Sequence, residues 1–371
     1  MRPGPALAHL TQTIEELSRS GLDPSELRER VLPRLRRAVP FDAAFWTTVD
    51  PVTLLFTAPH QDGLPPETVP YFVDNEFIDE DVNKFTALAR DRAGVHTLAE
   101  RTAGHLEASA RYRDVFRDLG LGDELRAVLR AGDVCWGCLC LHRQVGAAFS
   151  QEEIEYVRRL SPHLAEGIRS GLLVASIATR DPGDAPGLLV LGTDGSLRST
   201  TEAGRRWLDA LGNPDPEHFG VPPVIRALAA CLQGHAPRGR LPPRVRVQTR
   251  AGGWATLHAS YLPDAEAENR AIAVIIDEPA PSELAPVLML AYGLTKREQT
   301  VTSLVCRGSA TREISDRLHI SADTVQDHLK SIFDKTGVRS RRELVATILR
   351  EQYIPRAMTG HPVAPSGFFA P

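Results

Sequence analysis

Toward the end of the chain apolar residues recur with a helical period. Val325, Leu329, Ile332 and Phe333 stand at i, i+4, i+7 and i+8 and so share one face. At about 100° per residue, the same arithmetic turns Asp323, Asp327, Lys330 and Asp334 outward, with Gln326 and Ser331 on the flanks. Ser321 precedes this helix as an N-cap and Gly337 closes it. Upstream, Thr311 is placed to cap a shorter helix carrying Ile314 and Leu318, and Gly308 ends one bearing Val301, Leu304 and Val305. Downstream, Leu344, Val345, Ile348 and Leu349 form another stripe. So small a domain does not need that stripe for its own core, which predicts a dimer helix presenting Leu344, Val345 and Ile348.

The preceding residues mix both periods, which predicts an α+β multidomain chain with an all-α end. Val31 and Leu35 mark a basic helix ending at Pro40, and residues 43–49 and 53–57 read as strands. Residues 125–130 and 134–142 form a hairpin around Gly132. Ser150 and Glu153 make a capping box opening a long helix with Ile154, Val157, Leu160, Leu164 and Ile168 in register. Residues 187–192, 197–200, 245–249, 254–262 and 271–276 read as strands, Asp194 and Gly195 as a hairpin turn, and Thr201 as the cap of a helix carrying Trp207. Stretches dense in Pro and Gly at 180–187 and 278–286 read as linkers. The expected domains are therefore 1–179, 187–278 and 290–352, followed by an unstructured tail at 353–371.

Charge separates the end from the body. The chain carries −4 overall, while residues 294–350 hold eleven Lys and Arg against seven Asp and Glu. Arg outnumbers Lys thirty-nine to four, yet three of the four Lys, at 296, 330 and 335, lie in that basic segment. Only His319 and Ile320 separate Leu318 from Ser321, so the two helices they join cross steeply. The second can then stand out and enter a DNA major groove about 12 Å wide.

Enzyme chemistry is not displayed: there is no GxxxxGK[ST], HExxH or GxSxG pattern, and no catalytic residue or cofactor is expected. Five cysteines without a secretory signal point to a reducing cytoplasm, and no apolar run is long enough for a membrane helix. Strand alternation turns Cys135 away from Cys138 and Cys140. The latter two sit about 6.7 Å apart at Cα, against the roughly 3.8 Å sulfur separation on zinc. A metal site is not expected.

The C-terminal segment resembles the DNA-binding domain of LuxR-type helix-turn-helix regulators. Leu294, Thr295, Arg297, Glu298, Gly308, Glu313 and Ile314 match the pattern, as do Ser321, Thr324, Val325, His328, Leu329, Lys335, Gly337, Val338, Ser340 and Arg341. The resemblance implies base contacts by Gln326, Asp327 and Lys330, and phosphate contact or positioning by Ser321, Thr324, His328 and Lys335. Arg312 and Ser331 complete the DNA-facing set. The family usually carries Lys where this chain has Gln326. Gln suits the N6 and N7 edge of adenine and Asp can accept from the cytosine N4 amine, so the pair points to an altered base preference.

Residues 1–179, with RYRDVFRDLGLGDELRAVL, CWGCLCLHR and the capped helix in order, resemble a GAF-like sensor domain. That resemblance implies a small-molecule pocket, with Trp46, Tyr71, Phe72, Phe77, Trp136 and Cys138 as candidate lining residues. Residues 187–278 resemble a small PAS-like domain. The expectation is a cytoplasmic transcription regulator that reads double-stranded DNA as a homodimer under control of a small-molecule effector or partner. The alternative is a protein-interaction or signalling scaffold whose helical end does not read DNA.

Overall fold

In a computed structural model of the chain, the described residues are 5–176, 185–213, 220–234, 243–262 and 271–350. The tail expected at 353–371 and most of the first linker fall outside them. The fold is mixed α+β, with two antiparallel sheets and a helical C-terminal domain.

The chain begins with α1 (Pro5–Arg19) and α2 (Pro24–Ala38). The first sheet comprises β1 (Ala43–Val49), β2 (Phe56–Asp62), β3 (Val95–Thr97), β4 (Leu121–Ala131) and β5 (Val134–Gln144), in the order β2-β1-β5-β4-β3. β2 starts later than the expected 53, because Asp50 accepts from the N–H groups of Val52 and Thr53 and Leu54 adopts φ +62°, closing a turn there. Between β2 and β4 run α3 (Val69–Phe77), α4 (Phe85–Leu88) and α5 (Leu98–Arg101). Phe45 and Phe56 of the sheet pack with Phe72, Val73, Phe85 and Phe116 in one core. The opposite face meets α6 (Gln151–Ser176), so closely that a Cβ on Gly137 would stand 2.8 Å from Ile168 Cδ1. Ser150 and Glu153 cap each other's backbone at the start of α6, as the sequence predicts.

Alternation misplaces one cysteine. β4 and β5 shift register where Leu129 pairs with Gly137 but Arg130 with Cys135, leaving Trp136 as the extra residue of a β-bulge. The bulge returns Cys135 to the face of Cys138 and Cys140, and all three lie in the same core.

The second sheet comprises β6 (Gly187–Leu191), β7 (Leu197–Thr200), β8 (Arg244–Gln248), β9 (Trp254–Leu262) and β10 (Ala271–Asp277), ordered β7-β6-β10-β9-β8. Counted from its own first strand, this repeats the order of the first sheet. Thr201 caps α7 (Glu202–Leu211) by accepting from Gly204 N–H at 3.1 Å, and α8 (Pro223–Gln233) follows. The two sheets form one compact unit. Asp50 accepts from Arg246 Nε and Nη2 at 2.9 Å each, and Arg226 reaches Asp74 at 2.7 Å. Ala227 and Ala230 of α8 enter the first core, while Leu55 enters the second.

The helical domain is a separate unit. It contains α9 (Pro281–Ala291), α10 (Lys296–Cys306), α11 (Thr311–Leu318), α12 (Ala322–Thr336) and α13 (Arg341–Arg350). α9 occupies part of the stretch expected as a linker. Its Pro281 sits in the first turn, where a missing N–H costs nothing, and Leu284, Val287, Leu288 and Met289 are buried.

Candidate nucleic-acid interface

The helix-turn-helix pair is α11 and α12. α11 ends at His319, which takes the left-handed conformation at φ +53°. Ser315 Oγ then donates to the Ile320 carbonyl at 2.6 Å, which pins the turn. The cap of α11 differs from expectation: Thr311 is already helical, and Glu313 accepts from the Ala310 N–H at 2.8 Å. Ser321 caps α12 as predicted, accepting from Thr324 N–H at 3.0 Å, and Gly337 closes it at φ +71°. Val325, Leu329 and Ile332 are buried with Ile314, Val301, Leu304 and Val305, and Phe333 packs against them half-buried.

On the outer side, Ser321, Gln326, Asp327 and Lys330 are exposed on α12, as is Arg312 on α11, while Thr324 and His328 are half-buried. Gln326 Nε2 approaches Thr311 Oγ1 at 3.4 Å, tethering the reading face to α11. Arg341 Nη2 donates to the same hydroxyl at 2.9 Å, so α13 is fixed to this corner too.

Two residues of the expected DNA-facing set, the half-buried Ser331 and the exposed Lys335, bond to α10. Ser331 Oγ donates to Glu298 Oε1 at 2.7 Å, and Lys335 Nζ reaches both Glu298 oxygens at 2.9 and 2.7 Å. Glu298 is a residue of α10 and completes the capping box with Thr295. Burial alone would raise its pKa, but Lys335, Ser331 and Thr295 outweigh it and hold the carboxyl down at about 2. Ser331 and Lys335 therefore clamp the reading helix onto α10.

The helix expected to carry the dimer contact is α13. Leu344 and Ile348 are 0% and 1% exposed and belong to the domain's own core, leaving Val345 half-buried at its edge. Leu344 and Ile348 share that core with Val301 and Leu304.

The six pocket candidates do not converge. Phe72 and Cys138 share the first core with the half-buried Phe77, whereas Trp46 alternates with Phe45 onto the opposite face. Trp136 lies in the bulge, and Tyr71 is 57% exposed. A groove of about 540 Å³ between α1 and α6, bordered by Glu15, Tyr156 and His163, includes none of them.

What the sequence reading missed is a buried chain of charges: Asp81, Arg111, Glu124, Arg126 and Glu76. Arg111 joins Asp81 at 3.0 Å and Glu124 at 2.7 Å, and Arg126 joins Glu124 at 2.9 Å and Glu76 at 3.3 Å. Burial works to raise the Glu124 pKa, but the two guanidiniums hold it at about 2. His142 faces this chain, and burial brings its pKa down to about 4, so the ring is neutral near pH 7. The clue available in sequence was the charged residues interrupting an otherwise apolar strand pair.

The family model for bacterial regulatory proteins of the luxR family matches residues 293–348. Over 57 residues the chain is 40% identical to the spore germination protein GerE of Bacillus subtilis (strain 168), covering 15% of this chain and 77% of GerE. It is 34% identical over 61 residues to the oxygen regulatory protein NreC of Staphylococcus aureus, covering 16% of this chain and 28% of NreC. Among solved structures, the GAF domain of a phosphoenolpyruvate-protein phosphotransferase from Coxiella burnetii aligns with TM-score 0.33 at 19% identity, over 44% of this chain and 95% of that one. The Vibrio cholerae VqmA dimer, described among LuxR-type receptors, aligns with TM-score 0.22 at 16% identity, over 46% of this chain and 84% of that one.

Proposed function

Because this chain belongs to the luxR family of bacterial regulatory proteins, we propose that it regulates transcription by placing α12 in the major groove of an operator. The observation that carries this reading is the exposed face of Gln326, Asp327 and Lys330 on a helix whose other face is locked into the domain core. Gln326 and Asp327 address base edges. Lys330 addresses a base edge or phosphate, and Ser321 and Thr324 set the helix N-terminus, where backbone amides suit a phosphate. Arg312 and His328 flank that contact.

The two-sheet unit is the regulatory body, acidic where the helical end is basic. Its first block is GAF-like and its second PAS-like, a reading supported by the shared strand order. A small molecule or partner bound there biases DNA reading, and operator binding occurs as a homodimer. α13 is the candidate dimer helix, with Val345 half-buried at the edge of the core that holds Leu344 and Ile348. The protein works in the cytoplasm and is not an enzyme. Among the described residues no helix is long and apolar enough to cross a membrane.

The direct experiment is a gel shift with the full chain and DNA from upstream of its own gene, against unrelated competitor DNA. Retention that only the specific competitor removes supports the reading. Absence of any shift at low salt favours a scaffold whose helical end does not read DNA.

A further inference from the structure

We propose that Glu124, Cys140 and His142 form a binding site for a divalent transition-metal ion of borderline softness, such as zinc or ferrous iron. Their ligand atoms lie within 4.8 Å of one another and all three residues are buried. Strand register brings them together: Glu124 of β4 stands directly opposite His142 of β5, and Cys140 is two residues along on the same face. An ion with bonds of about 2.0–2.3 Å holds its ligand atoms roughly 3.3–3.8 Å apart.

His142 supplies an independent observation. It is fully buried, and neither ring nitrogen has a hydrogen-bond partner. Its ring packs edgewise on Phe116 and Phe72, with centroids at 4.9 and 5.8 Å. A buried imidazole with both nitrogens unpaired is unusual for a purely structural residue and suits one that donates a lone pair to an ion.

Charge selects the ligand class. The surrounding chain contains three carboxylates, Glu76, Asp81 and Glu124, against two guanidiniums, Arg111 and Arg126. One negative charge is thus left over. A divalent ion that binds the Cys140 thiolate adds two positive charges and one negative, so the buried cluster becomes neutral. An anionic ligand would deepen the imbalance. Sulfur and imidazole ligands favour zinc or iron over magnesium or calcium, which take oxygen. Each Glu124 oxygen already accepts from one arginine, which orients the carboxylate as outer partners do at metal sites. The binding step involves no redox change: the Cys140 S–H bond breaks, an Sγ–metal bond forms, and one proton passes to solvent.

The test uses the full chain, stripped with a chelator and titrated with cobalt(II). The expected result is a thiolate-to-cobalt charge-transfer band in the near ultraviolet that saturates at one ion per chain, with one proton released per ion. Cys140→Ser is expected to abolish the band, and His142→Gln to weaken cobalt binding at least about tenfold. Near-ultraviolet circular dichroism of both variants identifies any that fails to fold, and the folded one then decides. No band in the parent chain, or an undiminished band in folded Cys140→Ser, overturns the proposal. Since the absorbance needs no DNA, this outcome is separate from that of the DNA-reading function.

Discussion

Glu298 of α10 receives the Lys335 ammonium of α12 at 2.7 Å, joining the helix that opens the domain to the one that presents its reading face. The pairing makes the carboxyl strongly acidic, at about 2. A carboxylate depressed in the folded state contributes stability above its unfolded value near 4.3, and that contribution is lost as pH falls toward about 2. Glu298→Gln should destabilise the helical domain by about 1–2 kcal/mol at pH 7, allowing for the solvent exposure of Lys335. Urea titrations at pH 7 and pH 3 measure this. The parent should lose stability between the two, and the substituted domain should lose less.

Ser331 and Lys330 are neighbours in sequence with opposite roles. Ser331→Ala removes a clamp to Glu298, so it should lower the melting temperature while leaving the preferred DNA sequence unchanged. Lys330→Ala should leave melting unchanged and weaken DNA binding. If Lys330 meets phosphate, the slope of log affinity against log salt falls by about one. Paired melting and anisotropy measurements on the two variants separate the roles.

Gln326 is exposed on α12, and its amide can read a base edge that an ammonium cannot. Gln326→Ala should cost about 1–3 kcal/mol at one base pair and relax the preference there. Affinities for four duplexes differing only at that pair report it directly.

Asp50 ties the two sheets together through a doubly bonded contact with Arg246, and its side chain is wholly buried. Asp50→Asn removes the charge from that contact and should destabilise the two-sheet unit by about 1–3 kcal/mol. Calorimetry should show the transition of that unit falling while the helical domain's stays in place.

Much of this molecule was legible because its period and caps agree. Val325, Leu329 and Ile332 announced the buried face of α12, and Ser321, Gly337 and the Ser150–Glu153 box marked helix ends that the structure reproduces. The failures share one cause: tertiary context reverses a local reading. A single bulge at Trp136 flips Cys135 to the other face. The apolar stripe of α13 read as spare surface, whereas its Leu344 and Ile348 lie in the domain's own core. Ser331 stood on the flank by arithmetic and Lys335 came from the resemblance alone, yet both meet Glu298, which lies more than thirty positions away in sequence. Charged residues within β4 were invisible as a network, because nothing local pairs Glu124 with Arg111 or places His142 opposite.

The central claim is sequence-specific DNA reading by α12. It is tested most directly by selecting duplexes from a random pool with the full chain, then measuring anisotropy affinities for the selected and a scrambled duplex at several salt concentrations. The account predicts an enriched motif bound about a thousandfold or more tighter than the scrambled duplex, with both affinities falling steeply as salt rises. Equal affinity for the two duplexes, or no enrichment at all, would contradict it.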